Sequence, residues 1–247
     1  MKYLIIGASS GLGKELAYTF AKNGNDIILV SRDLRDLSAL KSDIENKYEN
    51  KVEILEIDLS SNDEIEKKLF NERFFKEIQG ILFPIGMMLD DDNESLSFSK
   101  INRLMNSNFS SVSYIISNFS NHLSTKNGEI IGFGSISGYL GRKINPYYSA
   151  SKRALESYFE SLAFMNKSNG LKIQLYILGY LDTNLAFGKK LNLPKGSPKI
   201  LADHVYRNKH HKFKKLFFPS WWGLIATILK ILPFRIFIII DKILKQN

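Results

Sequence analysis

The chain has no cysteine. Disulfides, thiolate nucleophiles and cysteine-based metal sites are therefore excluded, and the absence suits a reducing compartment, so the cytoplasm is the expected location. A secretory leader is not expected either, because the apolar stretch Met1–Ile6 is too short before Gly7 interrupts it. No internal repeat and no low-complexity linker occurs. A bilayer-spanning run is also missing, since a span needs about 20 unbroken apolar residues. The most apolar stretch, Trp221–Ile240, is interrupted by Lys230, Pro233 and Arg235. The carboxylates Asp90, Asp91 and Asp92 read as a solvated turn, and no metal is expected.

What is present fits one large α/β domain: 247 residues, 44% hydrophobic and 24% charged. The net charge of +9 raises nucleic acid or an anionic membrane as partners. Lysine, asparagine and isoleucine are frequent throughout, so much of that charge reads as ordinary surface. No nucleic-acid reading motif accompanies it, and no nucleic-acid partner is expected. One dense cluster stands out: Arg207, Lys209, Lys212, Lys214 and Lys215, with His204, His210 and His211 interleaved.

Short apolar runs alternate with longer amphipathic patterns. Strands are expected at Lys2–Ile6, Asp26–Val30, Val52–Ile57, Gly80–Ile85, Gly128–Gly134 and Lys172–Leu178. Helical periodicity covers Leu12–Asn23, Asp36–Tyr48, Asp63–Phe70, Phe98–His122 and Tyr147–Asn169. Nearly all-apolar strands separated by such helices predict a parallel sheet covered on both faces, a doubly wound, Rossmann-like α/β fold. Residues 1–200 would form the dinucleotide-binding and catalytic domain, with a substrate lid over 184–200. Residues 201–247 would be a basic, then apolar, extension packed on it, with Leu216–Ser220 a candidate last strand.

The first strand runs into Gly7-Ala8-Ser9-Ser10-Gly11-Leu12-Gly13, and a helix begins at once. Such a turn lets backbone bend sharply and approach a pyrophosphate, which the helix N-terminus then meets with free N–H groups. Its spacing resembles the TGxxxGxG turn of the short-chain dehydrogenase/reductase family, with Ile6 in place of the threonine. The resemblance implies a cofactor cradle of Gly7, Ser9, Ser10, Gly11, Leu12 and Gly13. Strand two ends at Ser31-Arg32-Asp33 without the acidic residue that accepts from the ribose of NAD. Arg32 suits the 2′-phosphate of NADP, which is favoured over NAD. Asp33 competes, as a partner for Arg32 or as a helix cap. Asp58-Leu59 falls where the family places an Asp beside the adenine, and Asp58 is also a candidate N-cap.

Tyr148 and Lys152 lie four residues apart, on one face of a helix. A neighbouring ammonium favours the phenolate and brings a tyrosine toward acid/base work at neutral pH. Ser135 lies thirteen residues before Tyr148 at a strand end, and Asn108 on the preceding helix; both match the family. The resemblance implies that Tyr148 protonates the developing alkoxide and Ser135 holds the carbonyl. Lys152 would bind the nicotinamide ribose and tune Tyr148, and Asn108 would hold a water in the proton relay; Asn106 is the competitor for that place. Thr183 would meet the nicotinamide carboxamide, in a segment where Leu178 replaces the family's proline.

The resemblance covers Met1–Ile200, with one motif missing. Phe83-Pro84-Ile85-Gly86 stands where the family has Asn-Asn-Ala-Gly, leaving Gly86 for cofactor contact. In the family that strand end contacts the threonine replaced here by Ile6, so the two departures imply a compensated, more apolar packing. The expected activity is NADP(H)-dependent reduction of a carbonyl, or the reverse. The substrate would be a small-molecule or lipid-linked ketone or keto-sugar. Rivals are a 3-oxoacyl thioester reductase, expected to lack the Trp221–Ile240 segment, and a non-catalytic cofactor-sensing protein, expected to lack the Tyr/Lys/Ser set. The tail reads equally as interfacial helices, giving peripheral membrane contact through 207–245, or as packing in a homo-oligomer.

Overall fold

The computed structural model describes residues 1–183, 194–233 and 235–236. Seven parallel strands, in the order β3-β2-β1-β4-β5-β6-β7, form the centre. They are β1 (Lys2–Ile6), β2 (Asp26–Ser31), β3 (Val52–Glu56), β4 (Ile78–Phe83), β5 (Glu129–Ser135), β6 (Lys172–Leu178) and β7 (Lys214–Phe218). Helices α1 (Gly11–Lys22), α2 (Leu34–Lys47) and α8 (Pro198–Asn208) supply side chains to the core on one face, against Tyr3, Ile5, Ile27 and Leu29. The other face, with Leu4, Ile6, Ile28 and Val30, packs against α3 (Asn62–Leu69), α4 (Glu72–Glu77), α6 (Ser111–Thr125), α7 (Pro146–Met165) and α9 (Trp222–Ile231). Strands buried on both faces must be apolar throughout, as these are. The chain winds outward from β1 to β3 and then crosses back to β4, so a crevice opens above the C-terminal ends of β1 and β4.

The helix expected over Phe98–His122 is two. Helix α5 (Phe98–Met105) passes through one π turn, Asn106–Ser110, into α6. Such a turn shifts the facing of the residues it carries and recurs at functional sites. Helices α4 and α8 escape the periodicity analysis. The first is six residues long, and the second has only Leu201, Ala202 and Val205 buried. Both have side-chain caps, Asn71 and Ser197. Most of the expected lid, residues 184–193, and the second expected tail helix lie outside the described residues.

The acidic run is not a solvated turn throughout. Asp91 pairs with Lys100, but Asp92 is fully buried, and its two carboxylate oxygens accept from the backbone N–H of Tyr147 and of Tyr148, at 2.9 Å each. It is the acceptor that α7's own N-cap, Asn145, does not supply. An anion here meets unpaired N–H groups and the positive end of the helix dipole, which explains how a carboxylate survives burial.

The basic cluster divides in the same way. Lys209 is buried, 4.4 Å above the Tyr206 ring, and its ammonium donates to His210. Lys215 lies between Glu156 and Glu160. Lys212 and Lys214 remain exposed.

Candidate active site

A cavity of about 710 Å³ opens at the crevice. Ser10, Gly11 and Leu12 line one side, Tyr148, Lys152 and Ser135 another, and Gly86 and Thr183 border the same space. The glycine turn is sterically obligatory. Gly7 has φ +96°, and a Cβ on Gly13 would stand 2.0 Å from the Gly7 carbonyl oxygen, closer than any side chain can approach. Helix α1 starts at this turn with no side-chain cap on Ser10 and no acid in its first turn, so its N-terminus is left positive. Ile6 and Phe83 are buried in one cluster with Ile85 packed on it, and the Pro84 carbonyl lies 3.2 Å from where a Gly7 Cβ would be. The two departures from the family pattern are thus joined in one apolar contact.

Arg32 follows β2, exposed, and the competing carboxylate is occupied elsewhere. Asp33 caps α2 by accepting from the Arg35 and Asp36 N–H groups and pairs with the Arg35 guanidinium at 3.3 Å. Of the two roles open to Asp33, the structure takes the cap. Asp58 does not cap α3; Ser61 does. Burial works against the Asp58 charge, but the Ser60 N–H and hydroxyl, at 2.9 and 2.8 Å, together with Arg32 and Arg103, hold its carboxyl below the usual range. The neighbouring Leu59 carbonyl accepts from the Ser111 hydroxyl.

The lysine is the most constrained group of the site. Lys152 is 3% exposed, and its amine donates to the Ile85 carbonyl at 2.6 Å and the Phe133 carbonyl at 3.0 Å. Burial lowers its pKa to about 7. The amine lies 5.9 Å from the Tyr148 ring centroid. Tyr148 departs from the sequence expectation: burial pushes its phenol up, while the Ser135 hydroxyl and the Arg142 guanidinium work in the opposite direction. The phenol is therefore held in its acid form at neutral pH, the form that donates a proton. Ser135 Oγ accepts from the Ser137 N–H at 3.2 Å and the Ser137 hydroxyl at 2.8 Å. Its own proton is left for the Tyr148 oxygen, the contact that works against burial there.

Asn108 sits in the π turn, 1% exposed. Its side chain closes a double hydrogen bond with Met87, accepting from the N–H and donating to the carbonyl at 2.8 Å each, and donates to the Ser151 hydroxyl at 3.1 Å. Both amide N–H groups are thereby engaged, and the side chain ties the loop after β4 to α7. Thr183 lies beside Gly11, its Cγ2 being 3.2 Å from where a glycine Cβ would be. Sequence reasoning missed Asp92, Ser137 and Arg142. Nothing local marks Asp92, whose partners lie 55 and 56 residues ahead. Among the described residues no group of three acidic or histidine side chains is arranged to hold a metal ion.

The depressed lysine makes a prediction about stability. In the unfolded chain Lys152 titrates near 10.5, and in the fold near 7. Between those values the unfolded chain binds a proton that the folded chain does not, so this residue's contribution to stability rises with pH. Below about 7 the lysine is charged in both states and its contribution is flat at its lowest. Denaturant unfolding of the parent and Lys152→Met from pH 6 to 10 is expected to show the stability difference shifting toward the parent above pH 7. Parallel profiles would contradict the buried amine.

Comparison with known proteins bears on the same residues. Residues 2–192 match the family model described as short chain dehydrogenase. A very-long-chain 3-oxoacyl-CoA reductase of Vanderwaltozyma polyspora is 29% identical over 222 residues, 83% of this chain and 62% of that protein. The chain thus spans less than two thirds of that relative's length. The hydroxysteroid 11-beta-dehydrogenase 1-like protein A of Xenopus laevis is 26% identical over 260 residues, covering 92% of this chain and 85% of that one. Among solved structures, a short-chain dehydrogenase from Sphingobium yanoikuyae in complex with NADPH superposes with a TM-score of 0.77, at 23% identity over 87% of each chain. The chain belongs to the short-chain dehydrogenase family.

Proposed function

We propose that the protein is an NADP(H)-dependent oxidoreductase that reduces a carbonyl to an alcohol or runs the reverse reaction. The observation that carries this is the convergence of the glycine turn, Tyr148, Ser135 and Lys152 on one cavity. The residues fit a dinucleotide: the cradle has no room for side chains at Gly13, and the α1 N-terminus is left without a capping side chain. Ser9, Ser10, Gly11 and Leu12 would hold the pyrophosphate, and Arg32 the 2′-phosphate. Asp58, Leu59 and Gly86 would border the adenosine, and Lys152, Tyr148 and Thr183 the nicotinamide end. NADPH, when bound, supplies the hydride. Ser135 donates to the carbonyl oxygen and Tyr148 passes it a proton as the charge develops. Lys152, fixed between two strand-end carbonyls, orients the ribose. NAD would serve less well, since Ser31 offers no carboxylate to its ribose.

The substrate is a lipidic ketone or a keto-sugar. A 3-oxoacyl thioester is the second reading, favoured by the likeness to a very-long-chain 3-oxoacyl-CoA reductase. Against it stands the Trp221–Ile240 segment, which such an enzyme is expected to lack. The intact Tyr/Lys/Ser set speaks against a non-catalytic sensor.

The tail supports peripheral contact with the inner face of an anionic membrane. No described helix is long and apolar enough to cross one. Helix α9 instead turns Trp222 and Ala226 inward and leaves Leu224, Ile228 and Ile231 at 69, 52 and 77% exposure, following the exposed Trp221. Those positions make one stripe at helical spacing. Lys230 and Arg235 flank it, and Lys212 and Lys214 add exposed charge, which is the composition of an interfacial helix.

Three outcomes follow. Tyr148→Phe is expected to keep NADPH affinity while turnover falls about 10²–10⁴-fold; parent-like turnover would refute the acid role. Arg32→Ala is expected to weaken NADPH about 10- to 100-fold, the loss of a charge-assisted bond, with NADH little affected. Equal affinity of the parent for the two cofactors, by fluorescence titration, would refute NADP preference. In vesicle co-sedimentation the parent is expected to bind anionic vesicles in a salt-sensitive way. Leu224→Gln with Ile228→Gln, and separately Lys212→Glu with Lys214→Glu, should weaken that binding. No binding at low salt, with light scattering reporting an oligomer that the apolar pair of changes dissociates, would assign the stripe to a second copy of the chain instead.

A further inference from the structure

Among the described residues, three charged side chains line the cavity: Asp90, Arg142 and Lys152. The Lys152 amine is taken up by the Ile85 and Phe133 carbonyls. Arg142, on the loop between β5 and α7, is half-buried, and among the described residues it has neither a hydrogen bond nor an ion pair. Asp90, the one carboxylate of the lining among the described residues, makes no ion pair with it, and its neighbours are engaged elsewhere: Asp91 by Lys100, Asp92 by α7. A half-buried guanidinium loses part of its hydration, and none of the described residues returns it a hydrogen bond. It stands close enough to Tyr148 for its field to favour the phenolate. The lining also carries the apolar side chains Ile136, Ile144, Met88 and Leu89.

We propose that Arg142 is a specificity-determining residue, receiving an anionic group, a phosphate or a carboxylate, that the substrate carries on the far side of its reacting carbonyl. The assignment rests on the proposed carbonyl reduction and names the substrate class for it. The guanidinium presents a planar fork of donors that matches either oxyanion. Anchoring the anion there fixes the distance from anchor to carbonyl, so substrates are selected by chain length as well as by charge. The adjoining apolar surface takes the carbon skeleton between them.

The test uses the full chain loaded with NADPH and three matched ketones: 4-oxopentanoate, 4-oxopentyl phosphate and neutral methyl 4-oxopentanoate. Calorimetric binding needs no turnover. The parent is expected to bind at least one anion more tightly than the neutral ester, and which of the two separates a carboxylate from a phosphate site. Arg142→Gln is expected to reduce the anion-to-neutral affinity ratio about 10- to 100-fold, the loss of a charge-assisted bond, and Arg142→Lys to restore part of it. The same ratio in kcat/KM should follow, carried by KM. An unchanged ratio in Arg142→Gln overturns the proposal, as does a parent that binds all three ketones equally. So does a variant that loses NADPH affinity instead, since that would give the arginine to the cofactor. Thermal unfolding checks that the variant is folded. Failure of the parent to reduce any of the three, with anion selectivity intact, would count against the carbonyl-reductase reading and leave the anion site standing.

Discussion

An amine carried to 3% exposure has to find its hydrogen bonds inside the protein, and Lys152 finds them on two strand-end backbones. The Ile85 carbonyl follows β4 and the Phe133 carbonyl belongs to β5, adjacent strands whose register runs Phe83 to Gly132. The sheet thus sets where α7 can dock, because a lysine misplaced by one helical turn would be buried without acceptors. Desolvation of an ammonium is costly in any protein, and that cost is visible here as a pKa near 7. Because both partners are main-chain oxygens, the contact depends on strand position and not on side-chain identity. This is how Pro84 and Ile85 can replace the family's asparagine and alanine without loss of the lysine's seat.

Two further side chains restrict α7 from its other side. Asn108, turned inward by the π turn, ties Met87 to Ser151, one residue before the lysine. Asp92 holds the first turn through Tyr147 and Tyr148. Both anchors reach from the segment that follows β4, so the strand end, the loop and α7 move as one unit. A phenol kept in its acid form by burial needs such rigidity. In the proposed reaction its proton would be useful only where the carbonyl oxygen is held, next to Ser135.

The sheet, its helices and the reactive constellation were legible because each leaves a short-range signature: apolar runs for buried parallel strands, glycines at fixed offsets, Tyr and Lys four apart. What escaped depends on long-range pairing. The caps on α7 come from Asp92, across the chain, so a run of three aspartates reads as solvent-exposed until the fold shows one of them buried. The basic cluster misled in the opposite direction. Spacing alone could not separate Lys209 and Lys215, bound to His210 and to Glu156 with Glu160, from the exposed Lys212 and Lys214. Tyr148 shows a third limit. Proximity to a lysine predicts a lowered pKa only if both groups stay hydrated, and here burial acts on both and dominates. At Asp33 the logic runs in reverse, since a local cap decides between its two readings.

Helix α9 packs behind the cavity's wall. The Trp222 indole lies so close to Gly179 that a Cβ there would meet its Nε1 at 1.8 Å, and the Tyr180 ring stands 5.7 Å from the same indole, edge on. Gly179 donates to the Phe218 carbonyl, at the end of β7, at 2.9 Å, and Tyr180 accepts from Gly196 at 2.7 Å. Leu178–Leu181, which border the cavity, are therefore pinned by α9 on one side and by the return of the chain at Gly196 on the other. Any force on the outer stripe of α9 bears on Trp222 through the helix itself, and through Trp222 on the backbone beside the cavity. Packing this dense has little compliance. The outer face of α9 and the cavity's β6 wall are thereby joined through one side chain, Trp222.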